Sequence, residues 1–279
     1  MRSTAAIDRQ IKAFRLIEDI VNAMKAYAGI VIRKTEDLVA NIRIYEESVF
    51  ASIAGITACH PEIARKIRYS EQSGRILIAL GSSQGLCGLF NKKMADAVSK
   101  ERRSGDALFV IGGKLQSALE SMGIVPEYSA GSAVSVNGIQ EALGEVLSRV
   151  MDIYSQDEFY RLAIIFTSVS GKVPDIMAEQ ILPPDTARTG ALCPLKGPPL
   201  LYMDPNIVFE KIIEQLIFIT LYRSYAESLR SENWYRLRSM EGASENLRKR
   251  LSETEALQRY VRQEEITEEV LDILKSFKT

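Results

Sequence analysis

The chain carries one histidine, His60, and three cysteines, Cys59, Cys87 and Cys193. A hydrolytic triad or an imidazole metal site would have to be built on that single ring, and no nucleophile loop surrounds it. Cys59 and His60 are adjacent, which is not the spacing of a tetrahedral zinc site. They read as a small core cysteine beside a surface histidine. Thiols that are odd in number and far apart argue against a disulfide framework and fit a reducing compartment. An excess of charge is missing too. Lys and Arg number 35 against 36 Asp and Glu, so no overall field favours nucleic acid or an anionic membrane. The opening "MRSTAAIDRQIK" has no apolar signal core. "SVFASIAGITAC" is too short to span a bilayer, and "IVFEKIIEQLIFITLY" is interrupted by Glu210, Lys211 and Glu214. A soluble chain is expected, one that can still dock on a membrane complex.

Proline is absent from both ends. All nine prolines fall between Pro61 and Pro205, as do all the glycines except Gly29, Gly55 and Gly242. Proline costs about 3 kcal/mol inside a helix. Two proline-free ends around a proline- and glycine-rich middle therefore predict long terminal helices flanking a compact domain. Apolar residues agree, with three-four steps through Ile7, Ile11, Phe14, Ile17, Val21, Met24, Ala28 and Val31, then Leu38, Ile42, Tyr45, Val49 and Ile53. A second stripe runs Ile212, Leu216, Ile219, Leu229, Leu237, Met240, Ala243, Leu247, Leu251, Val261, Val270 and Ile273. Both stripes are narrow, which suits a two-stranded coiled coil better than a helix on a large core. A helix from Asn206 to Lys275 would be on the order of 100 Å long. Its one intrachain partner of similar length is the N-terminal helix, most simply antiparallel. Leu237, Met240, Leu247 and Leu251 are expected to face Phe14, Val21 and Met24.

The middle alternates strand and helix. Strands are predicted at "RILIAL" (75–80), "ALFVIG" (107–112) and "RLAIIFTSV" (161–169). Helices are predicted at "LFNKKMADAVSKERR", at "KLQSALESMG" ending on Gly123, and at "NGIQEALGEVLSRVMDIYS". "GKVPDIMAEQILP" adds an edge hairpin, since Pro174 cannot enter a central strand, and "PPDTARTGALCPLKGPP" reads as a loop. The fold class is α/β: an antiparallel coiled coil of long N- and C-terminal helices with a central, mainly parallel α/β domain. The expected domains are 1–60, 61–205 and 206–279.

"GSSQGLCG", Gly81–Gly88, joins a strand to a helix, as phosphate-binding loops do. Its glycines do not match G-x-G-x-x-G, and the Gly-Lys-Ser/Thr ending of a P-loop is missing. Lys92 and Lys93 lie a full turn into the next helix. The competing reading is a tight turn at a strand end with Cys87 tucked inside.

Three stretches carry a resemblance. "ALGSSQGLCGLFN" (79–91), "IDRQIKAFRLIEDIVNAMKAYA" near the start, and "LYRSYAESLRSENWYRLRSMEGASENL" with "VRQEEITEEVLDI" near the end occur in family order. Together they resemble the gamma subunit of F-type ATP synthases, over most of the chain. The resemblance implies an antiparallel coiled coil with a central α/β domain that binds no nucleotide. It implies a non-catalytic central rotor, coupling rotation driven by transmembrane ion flow to ATP synthesis or hydrolysis. Implied partners are the catalytic and non-catalytic nucleotide-binding subunits of the ring, an epsilon-type stalk subunit and the membrane rotor ring. No nucleic acid and no cofactor are implied, and the implied location is the cytoplasmic face of the cell membrane, peripheral, within the complex. Gln84 and Arg259 stand where an acidic residue and an asparagine are usual, and Trp234 and Tyr235 replace small ring-facing residues. These departures leave open a standard or a divergent, alternate complex.

Arg236, Arg238, Arg248, Lys249, Arg250, Arg259 and Arg262 make the last segment basic in its middle, and Glu264, Glu265, Glu268, Glu269 and Asp272 follow as an acidic block. By resemblance, Lys25, Gln263, Thr267 and Glu269 form the region meeting the stator's moving lever. With Arg248, Lys249 and Arg262 they are the expected rotor–stator coupling residues. Two other functions compete: an α/β nucleotide-binding enzyme using Gly81–Gly88, and a coiled-coil adaptor unrelated to ATPases.

Overall fold

The computed structural model describes residues 4–66, 74–154, 161–169, 171, 173–184 and 200–276. Cys193 and most of the expected 183–199 loop lie outside the described residues. Helix α1 (Thr4–Cys59) and the short α2 (Pro61–Lys66) precede β1 (Arg75–Leu80) and α3 (Phe90–Glu101). Then come β2 (Ala107–Ile111), α4 (Gly113–Ser121), β3 (Tyr128–Ala130), α5 (Ile139–Tyr154), β4 (Arg161–Ser168), β5 (Asp175–Leu182) and the 72-residue α6 (Pro205–Ser276). Contacts divide the chain into two compact units. One joins the chain up to Ala28 with that from Arg236, and the other is Gly29–Tyr235.

Within Gly29–Tyr235 the strand order is β3-β2-β1-β4-β5, parallel throughout except for the antiparallel β4–β5 pair. Alternate side chains build two cores. Leu77, Ala79, Leu108, Val110 and Ile165 face α3 and α4 through Met94, Val98, Leu115 and Leu119. Ile76, Ile78, Leu80, Ile111, Ile164 and Phe166 face the other way. That second face is covered by α5, by α1 from Val31 to Ile56, and by α6 from Phe209 to Leu229. The inner half of each terminal helix is thus a layer of the central core, where the narrow stripes alone suggest a separate two-helix rod. The reason lies in the sheet. Central parallel strands need cover on both faces, and α5 alone cannot cover five strands.

Local signals explain the element ends. Asp204 caps α6: its Oδ1 accepts the Asn206 N–H at 2.8 Å, and Pro205 takes the first helical position. At the end of α4, Gly123 has φ +77°, its N–H bonds the Glu120 carbonyl, and the Ile124 N–H bonds the Leu119 carbonyl. That pair of bonds is a Schellman stop, as the glycine predicts. Strand β5 is exposed over most of its length and follows Pro174, as an edge strand should. Strand β3 has three residues and no apolar alternation, so its sequence gives no signal. Cys59 is exposed at the end of α1, which corrects the expected core cysteine. The His60 Nδ1 lies 3.1 Å from Glu62 Oε1.

At the amino end of the sheet Arg75 bridges Asp106 and Glu101. Its Nη2 meets Asp106 Oδ2 at 2.6 Å, and its Nη1 meets Glu101 Oε1 at 3.1 Å. Burial alone would raise the Asp106 carboxyl, but the Arg75 guanidinium and the Arg103 N–H hold it below the usual carboxylate range. The native carboxyl therefore releases its proton more readily than the unfolded one, whose pKa is about 3.9. The resulting stability is fully present above that value and is lost as pH falls through the lower native one. In melts from pH 7 to pH 2, Asp106→Asn should be less stable than the parent at neutral pH, and the gap should close at the acid end. A gap independent of pH would refute the role of this carboxylate.

Candidate functional site: the seat of the last helix and the paired ends

The Gly81–Gly88 loop is folded around its own side chains. The Ser82 N–H donates to Asn91 Oδ1 at 3.0 Å, and Asn91 Nδ2 returns to Ser82 Oγ at 2.8 Å. Ser83 and Ser132 exchange bonds: each backbone N–H donates to the other's Oγ, at 2.7 and 2.8 Å. Cys87 is buried, its Sγ 3.4 Å from both Ser82 Oγ and Asn91 Nδ2. Two of the N–H groups that could cradle a phosphate are therefore already committed. Space is closed as well. A Cβ on Gly81 would lie 2.3 Å from that of Leu115, and one on Gly112, at φ +119°, would lie 2.6 Å from the Gly81 carbonyl carbon.

In open α/β sheets, ligands enter beyond the carboxyl ends of the strands, where the strand order reverses. Here that point falls between β1 and β4. It is taken by α6. Ser231 Oγ donates to the Thr167 carbonyl at 2.8 Å, and Arg230 Nη2 to the Val169 carbonyl at 2.5 Å. The buried Tyr225 hydroxyl accepts the Ala133 N–H, and burial pushes that phenol well above the ordinary tyrosine range. Tyr235 packs its ring on Phe90, centroids 5.8 Å apart, and accepts a hydrogen bond from Lys93 Nζ at 3.2 Å. The start of α3 thus holds a helix of the same chain, and Lys93 is engaged there. Of the two residues expected to face outward, Tyr235 is turned onto α3 with Trp234 edge-on to it, centroids 5.3 Å apart.

One turn away lies a buried charge cluster. Arg223, 6% exposed, donates from Nε to Glu46 Oε1 at 2.9 Å and from Nη2 to Glu179 Oε2 at 2.5 Å. Its Nη1 is 3.4 Å from Glu227 Oε1, and its guanidinium stands 5.6 Å from the centroid of the Phe166 ring. Thr220 also donates to Glu46, and Arg43 to Glu227 at 3.0 Å. Burial would lower the Arg223 pKa, but Glu179 and Glu46 outweigh it, so the cation persists. Burial would raise Glu227, but Ser168 and Arg43 hold it below the carboxylate range. A cleft of about 290 Å³ borders the cluster. No pattern in the sequence marks Arg223, Glu46 and Glu179 as partners, because they come from three elements far apart in the chain.

In the other unit, α1 and α6 pair antiparallel. Thr4 bonds Glu265 and Gln258 bonds Asp8, Arg15 meets Glu255 at 3.0 Å, and Arg248 Nε is 3.6 Å from Glu18 Oε1. Ile7, Ile11, Val21 and Met240 are buried there, while Phe14, Met24, Leu237, Leu247 and Leu251 are half-buried. This register sets Lys25, half-buried, opposite residues at roughly 241–245 and well away from Gln263, Thr267 and Glu269. At 1.5 Å per residue the separation is roughly 30–40 Å, so these four do not form one cluster. Gln263 and Thr267 do lie together: the Thr267 hydroxyl bonds the Gln263 carbonyl at 2.7 Å, and both line an open cleft with Tyr260, Glu264 and Glu268. Glu269, Arg248, Lys249 and Arg262 are exposed. Arg236, placed in the basic run by its sequence, is buried instead.

Among the described residues no group of His, Cys, Asp and Glu could hold a metal ion, and no helix is long and apolar enough to cross a membrane. The family model described as ATP synthase matches residues 3–279. The chain belongs to the ATP synthase family. Among curated relatives, the ATP synthase gamma chain of Heliobacterium modesticaldum is 23% identical over 281 residues, 96% of each chain. That of Malacoplasma penetrans is 25% identical over 286 residues, all of this chain and 99% of the relative. The rotor of the Euglena gracilis mitochondrial ATP synthase superposes at TM-score 0.62 with 14% identity, covering 94% of this chain and 98% of that one. A chain from the central stalk and c-ring structure of the Tetrahymena thermophila enzyme gives 0.61 with 18% identity, over 81% and 99%. These structures share the fold: long terminal helices and a central, mostly parallel sheet. Membership makes this ATP synthase family chain a non-catalytic subunit of a membrane-associated complex.

The seat of α6 can be measured directly. Tyr235→Ala should lower stability by about 1–3 kcal/mol in urea unfolding, less than the 3–5 expected for a fully buried aromatic. A double-mutant cycle with Phe90→Leu should give a coupling of about 0.5–1.5 kcal/mol. Strict additivity would mean that the ring contact contributes nothing.

Proposed function

We propose that the chain is the gamma-type central rotor subunit of an F-type ATP synthase or ATPase. It couples rotation driven by transmembrane ion flow to ATP synthesis or hydrolysis in a surrounding ring. What carries the reading is one combination: a family match over 3–279 and an antiparallel helix pair built from the two ends of the chain. A shaft needs stiffness and asymmetry and no catalytic group of its own. The pair offers the first through its buried stripe and the second through its charge pattern. Arg248, Lys249, Arg250, Arg259 and Arg262 make one stretch of α6 basic, and Glu264, Glu265, Glu268 and Glu269 make the next acidic, all of them exposed. An exposed pair contributes about 0.2–1 kcal/mol, weak enough to be made and broken during each turn.

On this reading the partners are the nucleotide-binding ring subunits, an epsilon-type stalk subunit and the membrane rotor ring, at the cytoplasmic face of the membrane. Residues 1–60 and 206–279 supply the shaft and 61–205 the domain carried on it. Lys25, Arg248, Lys249, Arg262, Gln263, Thr267 and Glu269 are the coupling residues. They act at two levels along the shaft, Lys25 at one and Gln263, Thr267 and Glu269 at the other. The nucleotide chemistry belongs to the ring, consistent with a glycine loop whose donors are spent on Asn91 and Ser132.

The test is ATP turnover beside ion uptake in vesicles carrying the assembled complex. Lys25→Glu and Glu269→Lys should each lower the uptake per ATP while assembly stays intact. Leu247→Pro, which removes a helix bond and adds a clash, should uncouple more completely, leaving turnover while uptake falls. Normal uptake per ATP in all three variants would rule the reading out. The isolated chain should show no micromolar ATP binding by calorimetry, and binding at that level would favour the enzyme instead.

A further inference from the structure

The seam between α1 and α6 in the Gly29–Tyr235 unit is mostly aliphatic, with Phe50 of α1 and Phe209 and Tyr225 of α6 as its aromatic members. Val39, Ile42, Val49, Ile53 and Ile56 on α1 and Ile213, Leu216, Ile217 and Ile219 on α6 are all buried. Apolar burial has no direction. A slide of one helix past the other by one turn, about 5.4 Å, exchanges one aliphatic neighbour for another at small cost. The aliphatic part of the seam holds the helices together but has no directional contact that would fix where along their length they meet.

The buried cluster has the opposite character. A guanidinium is a planar fork with fixed donor directions. Arg223 spends it on Glu46 of α1, Glu179 of β5 and Glu227 of its own helix. Arg43 of α1 ties back to Glu227 at 3.0 Å. The Arg223–Glu46 and Arg43–Glu227 bonds are both lost when α1 slides one turn past α6, and Glu46, 1% exposed at the side chain, would be left buried away from the Arg223 cation. Buried ion groups add little net stability beside well-packed apolar residues, and their best-attested use is to select one register among near-equal ones.

We infer that Arg223 is the register lock of the α1/α6 pair: with Glu46, Glu227 and Glu179 it fixes the axial position of the two helices relative to each other and to edge strand β5. Arg223 is a positioning residue that acts through these carboxylates. Its mechanical use, preventing the paired helices from creeping under torque, rests on the rotor reading above. The lock itself does not, and it can be tested on the full chain alone.

Tyr45 of α1 and Gln215 of α6 approach at 3.3 Å across the pair, exposed and outside the cluster. Nitroxide labels are placed on cysteines at these two positions, in a chain carrying Cys59→Ser and Cys193→Ser, and the dipolar broadening of the spectrum reports their separation. The parent should give one narrow separation. The decisive variant replaces the cluster by apolar residues of similar size, Arg223→Met with Glu46→Leu and Glu227→Leu. It should still melt cooperatively, yet add a second separation displaced by about one helical turn, or a spread of that width. A single narrow separation equal to the parent's would overturn the inference, because the aliphatic seam would then set the register unaided. Should the triple variant fail to melt cooperatively, Arg223→Lys decides. It keeps the charge and loses the fork, so a broadened separation upholds the lock and an unchanged one overturns it.

Discussion

The polar groups at the carboxyl ends of the strands must be satisfied, and in this chain α6 satisfies them. Ser231 and Arg230 take the carbonyls of Thr167 and Val169, and Tyr225 takes the Ala133 N–H. Buried backbone groups without partners are costly, so a sheet of this topology needs either a ligand or a piece of protein at that edge. Much else follows from the choice of protein. The glycine loop closes on itself because nothing has to enter it. Phe90 and Lys93 are oriented by Tyr235. The central domain is fixed to the last helix by directional bonds as well as by apolar packing.

Charge serves two purposes in this molecule, and burial separates them. Around Arg223 the central ions, Arg223, Glu46 and Glu227, are buried and the cluster is shared among three elements, so separating Arg223 from Glu46 leaves a buried charge behind. Between Arg15 and Glu255, or Arg248 and Glu18, at least one partner is well exposed, and the pair can open to water cheaply. The first kind suits a joint that must not move. The second suits a surface that exchanges partners. Both kinds are present, each where the burial pattern allows it.

The terminal helices and the edge position after Pro174 are legible in the sequence because each rests on a local rule: proline exclusion with three-four spacing, and the missing N–H of proline. Strand β3 escapes those rules, since its three residues pair only because β2 is already there. The narrow stripes mislead about the inner halves of the long helices. Spacing reveals which face is apolar but not whether a helix or a sheet covers it. The coupling residues are legible one at a time through resemblance, but their separation along the shaft is not, because it depends on the register between two segments more than 200 residues apart. For the same reason the Arg223 cluster is invisible beforehand: a glutamate in α1, one in β5 and an arginine in α6 look like surface charges until the fold buries them.

The pairing of Thr4 with Glu265 spans 261 residues of sequence. A ribosome adding about 5–20 residues per second needs roughly 10–50 s to make the intervening chain. Throughout that interval the apolar stripe through Ile7, Ile11 and Val21 has emerged while its eventual cover does not yet exist. The middle of the chain, rich in contacts closer in sequence, can condense first, and the two ends close last, since long loops must be closed before distant contacts repay them. The geometry that pairs the two ends of the chain therefore leaves an apolar stripe of the newborn chain without its eventual cover, with the first part synthesised waiting on the last.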